Sequence, residues 1–87
     1  MKVEKRIALL SKKFRGRLAN DLVDQAVDYL NYNEWGLAFE TLCDFLCENN
    51  VAISQSEFDE ILSVAAQMEL RADDGRYRYL KNLIESC

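Results

Sequence analysis

The stretch from Asn33 to Glu48, NEWGLAFETLCDFLCE, decides how this chain is read. Wound at 100° per residue, it gathers Trp35, Ala38, Leu42, Phe45 and Leu46 on one side and Glu40, Asp44 and Glu48 on the other. That is one amphipathic helix whose apolar side, Trp35 included, suits the central slab of a helical core. The opposite side is a ladder of carboxylates at i, i+4 and i+8, with no cation beside it in the sequence. Like-charge pairs at that spacing destabilise an isolated helix by roughly 0.2–0.5 kcal/mol each, so the ladder asks for a reason beyond solubility.

Working outward, the segments on both sides also carry helical patterns. Val3, Ile7, Leu10 and Phe14 form the stripe of a first helix over about residues 2–14, and Gly16 between two arginines suits a left-handed stop. A second helix over about residues 20–31 turns Leu22, Val23, Ala26, Val27 and Leu30 inward, with Asn20 placed to cap it. Asn33 is expected to cap the central helix. Gly36, a poor helix former so close behind, suggests close approach of another backbone. Asn49-Asn50 ends that helix, and Val51 to Ile53 is a short extended link. Ser54-Gln55-Ser56-Glu57 spells a capping box, followed by Phe58, Ile61, Leu62, Ala65 and Met68 at helical spacing. Asp73-Asp74-Gly75 marks a turn, and Tyr77, Leu80, Leu83 and Ile84 stripe a last helix. The expectation is an all-α, compact single-domain bundle of about five short helices spanning residues 1–87. The lack of proline and the scarcity of glycine, at 16, 36 and 75 alone, point the same way, because hairpin turns have little to be built from.

Composition narrows the functional classes. The longest early apolar run, Ile7 to Leu10, is too short for a secretory or membrane segment, so a cytoplasmic location is expected. Cys43, Cys47 and Cys87 are odd in number, two of them one helical turn apart, and read as free thiols. Histidine is absent, which removes the commonest general base and metal ligand. Acid pairs such as Glu34 and Glu40, or Asp59 and Glu60, have no glycine-rich loop, nucleophile or ligand set around them. An enzymatic role, a cofactor and a metal are therefore not expected.

Charge says more. From Asp21 to Leu70 there are eleven acidic residues and not one Lys or Arg, while all eleven basic residues lie outside that window. Such segregation suits a surface with a field that meets a cationic protein. Asp24 and Asp28 join the ladder Glu40, Asp44, Glu48 if the second and third helices lie side by side, and Glu34 extends it. Leu37 shares the helical angle of Asp44 and Glu48 and, unless another helix covers it, is an apolar contact inside an acidic rim; Tyr32 adds a second. The basic first helix lacks aromatic interleaving, so neither nucleic acid nor membrane is expected as a direct partner.

The residues Gly16-Arg17-Leu18, Tyr29-Leu30, Glu34-Trp35-Gly36-Leu37-Ala38, Glu40, Leu42-Cys43-Asp44, Leu46 and Glu48, with Ile53-Ser54, Met68 to Leu70 and Tyr79-Leu80, resemble the MafI family of bacterial immunity proteins. Asn33 and Ala52 stand where members of that family often carry His and Pro. The resemblance implies a protein that binds and neutralises a cognate toxin domain, and the expectation is a monomer that does so one to one. In polymorphic or contact-dependent systems that toxin is commonly a basic nuclease, including ribonucleases of the EndoU type. The alternative is a helical adaptor or regulatory protein-binding module unrelated to toxins.

Overall fold

A computed structural model of the protein describes residues 1–71 and 75–85. Its elements follow the sequence in order: α1 (Val3–Lys13), α2 (Asn20–Asp28), a single 3-10 turn (Tyr29–Tyr32), α3 (Trp35–Glu48), α4 (Gln55–Gln67) and α5 (Gly75–Asn82). The all-α bundle is as the patterns predict. The turn expected at Asp73-Asp74-Gly75 lies outside the described residues apart from Gly75, and so does Cys87.

Local signals set the helix ends. Gly16 has φ +92°, the left-handed geometry that lets the chain reverse after α1. Asn50, at φ 48°, does the same after α3, where asparagine tolerates what most residues do not. Ser54 and Glu57 close the capping box before α4: the Glu57 backbone N–H donates to Ser54 Oγ at 3.1 Å, and the Ser54 N–H donates to Glu57 Oε1 at 2.8 Å. The extended link is held at Ile53, which donates to the Leu83 carbonyl and accepts from the Glu85 N–H at 3.1 and 2.9 Å. Backbone groups that no helix satisfies are thus paired with the tail of the chain. Two expectations for the second helix are corrected. Asn20 is already inside α2, whose cap position is Ala19, and the chain adopts its 3-10 turn where the helix was expected to continue.

The core sits around α3, which touches α1, α2 and α5. Ile7 and Leu10 of α1 with Phe14 at its end, Val23 and Ala26 of α2, Ile61, Val64 and Ala65 of α4, and Tyr77 and Leu80 of α5 close it. From α3 the inward set is Ala38, Phe39, Leu42, Cys43 and Leu46. Compared with the face expected from the sequence, the helix is rolled by about 40° at 100° per residue, bringing Phe39 and Cys43 in and turning Trp35 out. The cause is the width of the apolar arc on α3. Periodicity permits either roll, and packing against α1, α2 and α5 selects the one observed. Ser11 is the buried polar residue, satisfied by donating to the Ile7 carbonyl at 2.8 Å.

The charge halves that are separate in sequence meet in space. Arg6 of α1 reaches Glu60, Ser63 and Gln67 of α4. Arg17 grips both oxygens of Glu57 at 2.9 and 2.6 Å and lies over the Phe14 ring. That bidentate contact, helped by the Ser54 N–H, holds the Glu57 carboxyl below its ordinary range. A depressed folded-state value stabilises the fold fully above the unfolded carboxyl range and loses that contribution as pH falls through the folded value. Glu57→Gln is therefore expected to flatten the acid-side fall of stability, read as urea midpoints between about pH 3 and 6. An unchanged slope would show that the contact has no weight.

Candidate docking surface

The head of α3 is built by an abrupt reversal. Asn33 takes φ 58°, closing the 3-10 turn with its N–H on the Leu30 carbonyl at 3.2 Å, while the Glu34 N–H donates to Tyr29 at 3.1 Å. The cap position of α3 is consequently Glu34, with no side-chain cap bond, and not Asn33 as the sequence suggested. A carboxylate there lies near the positive end of the helix dipole. The reversal leaves three apolar side chains open within six residues: Tyr32 at 69%, Trp35 at 38% and Leu37 at 45% relative exposure. Leu37 resolves as exposed. Trp35, expected in the core, stands at the surface because the roll of α3 turns it away from the buried set Ala38, Phe39, Leu42, Cys43 and Leu46. A Cβ at Gly36 would meet nothing within 4 Å, so no backbone approaches there and nothing in the structure explains the glycine.

Behind these residues lies a hollow of about 410 Å³ lined by Val3, Glu34, Trp35, Leu37, Met68 and Leu70. Its floor comes from the start of α1 and the end of α4, far away in sequence, so no local pattern on α3 could have announced it.

The carboxylates divide into two groups. Asp24 is paired with Arg15 at 2.6 Å. Glu40 accepts from Arg76 at 2.6 Å, and Asp44 lies 3.4 Å from the same guanidinium. The ladder therefore does have a cation beside it, delivered from α5, which corrects the reading of α3 alone. Asp28, Glu34 and Glu48 have no ion pair among the described residues; Asp28 accepts a hydrogen bond from Asn31 at 3.1 Å. The balance still favours a field. One guanidinium beside a helix bearing three carboxylates, with Glu34 a fourth at its cap, leaves the outer side negative, and a carboxylate holding one donor keeps lone pairs for another. From Glu34 to Glu48 the stripe is about 21 Å long at 1.5 Å per residue, interrupted by Leu37 and Thr41.

No family model, curated protein or solved structure matches the chain. What the surface can do is accordingly argued from its own chemistry: it can attract cations over a helix length and bury an apolar side chain at one end. Among the described residues no group of three or more His, Cys, Asp or Glu is placed to hold a metal ion, and no helix is long and apolar enough to cross a membrane.

Cys43 and Cys47 take no part in this surface. Cys43 is fully buried in the core, and burial pushes its thiol far up. Cys47 is half-buried, its Sγ 3.7 Å from the Arg76 carbonyl, and burial with the nearby Asp44 charge pushes it up to about 11. Since the thiolate is the nucleophile, iodoacetamide at about pH 8 is expected to label Cys43 only on unfolding and Cys47 slowly. Rapid native labelling of Cys43, read by peptide mass mapping, would contradict its placement.

Proposed function

We propose that this protein is an immunity protein: it binds a cationic toxin domain one to one in the cytoplasm and neutralises it by covering its active cleft. The observation that carries the reading is the open cluster Tyr32, Trp35 and Leu37 at the head of a helix whose outer side holds Glu34, Glu40, Asp44 and Glu48 and no cation of its own. An apolar centre within a charged rim is how interfaces concentrate binding energy, and complementary charge raises the rate of encounter. A nuclease cleft lined with Lys and Arg to hold phosphates is the chemistry such a surface fits, since carboxylates can occupy the positions of the phosphates. The resemblance to MafI-type immunity proteins runs through these residues and makes an EndoU-type ribonuclease the first toxin to try.

Within this reading, Glu34, Glu48 and Asp28 supply the charged contacts open from the outset, Tyr32 and Leu37 the apolar ones, and Glu40, Asp44 and Asp24 join by sharing or exchanging their arginines. Co-expression with a cationic toxin domain, an EndoU-type ribonuclease first, is the test. Growth is expected to recover and the two chains to co-elute at one to one. Unrelieved toxicity with the chain folded and abundant would reject the reading.

A further inference from the structure

The outer side of α1 carries the same anatomy with the opposite sign. Leu9 is 49% exposed, and on a helix its neighbours at i−4, i+3 and i+4 are Lys5, Lys12 and Lys13. Hollows of about 530 and 300 Å³ flank it. The first is lined by Arg6, Leu9, Leu10 and Lys13, among others, and the second by Lys5, Ala8, Leu9 and Lys12 with Met1. The arginines of the N-terminal segment are spent on Glu60, Asp24 and Glu57, whereas Lys5, Lys12 and Lys13 have no ion pair among the described residues. An apolar knob in a ring of unpaired lysines is a docking surface for something acidic with an apolar centre.

We propose that its occupant is a second copy of this chain, docking through the head and outer side of α3. The complement is explicit: Leu37, 45% exposed, with Glu34 and Glu48 unpaired on the same helix. The two surfaces also adjoin. Met1 lines both hollows beside Leu9, and its carbonyl accepts from Gln67 Nε2 at 3.4 Å, a residue that lines the hollow bordered by Trp35 and Leu37, so the lysine side and the head of α3 meet beside the start of α1. Adjoining complementary patches are what a two-fold pair requires, because each contact is then made twice, lysines of one protomer on carboxylates of its partner and the reverse. Leu9 of each copy enters the hollow beside Trp35 of the other. The pair is weak and governed by salt, since its charges lie at the surface. This inference does not depend on toxin binding, although it uses the same acidic side and would compete with it.

Sedimentation velocity over a concentration series up to about 1 mM, in about 20 mM and about 500 mM salt, tests it. The wild type is expected to rise to a dimer with concentration at low salt and to stay monomeric at high salt. K5E/K12E and E34K/E48K, each checked for fold by circular dichroism, are expected to remain monomers alone and to pair when mixed, because each restores what the other lacks. K5E/K12E leaves the acidic side intact, so loss of the dimer there is separable from any loss of toxin binding. A wild type monomeric throughout, or a dimer that both variants retain, would overturn the proposal. So would a monomer that floats with vesicles of anionic phospholipid and not with neutral ones, which would assign the lysine side to a membrane surface.

Discussion

Phe39→Ala is expected to destabilise the fold by about 3–5 kcal/mol, the range for removing a fully buried aromatic ring. Against a total of about 4–13 kcal/mol for a chain of 87 residues, at 0.05–0.15 kcal/mol per residue, that is a large fraction of what holds the molecule together. The midpoint of thermal unfolding should fall by at least about 12 °C. Trp35→Ala supplies the contrast. Its side chain is 38% exposed whereas Phe39 is fully buried, so truncation should cost clearly less than Phe39→Ala although it removes more atoms. The pair reads the roll of α3 directly: the reverse order of effects would mean that Trp35 faces inward and Phe39 outward.

That roll marks where the sequence stops being informative. The capping box at Ser54 and Glu57, the left-handed stop at Gly16 and the asparagine end of α3 are legible because each is written in four or five adjacent residues whose chemistry acts locally. The roll of α3 is not. Trp35, Leu37, Ala38, Phe39, Leu42, Cys43, Phe45 and Leu46 cover so much of its circumference that period alone leaves the inward direction open, and the choice is made by neighbours from elsewhere in the chain. The charge map behaves in the same way. A run of fifty residues without a cation reads as an acidic surface, yet Arg76 reaches Glu40 across 36 positions, Arg17 reaches Glu57 across 40 and Arg6 reaches Glu60 across 54. Of the acids named for the docking surface, Asp28, Glu34 and Glu48 make no ion pair among the described residues, and Tyr32, Trp35 and Leu37 are exposed beside them.

The second large effect follows from these acids. E34K/E48K reverses two carboxylates that make no ion pair among the described residues, so the fold has little at stake and the thermal midpoint should barely move. A cationic toxin would instead face like charge at both ends of α3. Losing two interfacial contacts and adding repulsion is expected to raise the dissociation constant at least tenfold, about 1.4 kcal/mol, mostly through slower association at low salt. E40K/D44K is the less informative pair, since it also strands Arg76 beside two new cations and disturbs α5.

Calorimetric titration of the proposed partner, a cationic toxin domain of the EndoU ribonuclease type, with the wild type and with folded E34K/E48K in parallel at low salt, tests the central claim most directly. The acidic, aromatic head and outer side of α3 as the contact surface predicts tight one-to-one binding by the wild type and a dissociation constant at least tenfold higher for the variant. Two superimposable isotherms would contradict it.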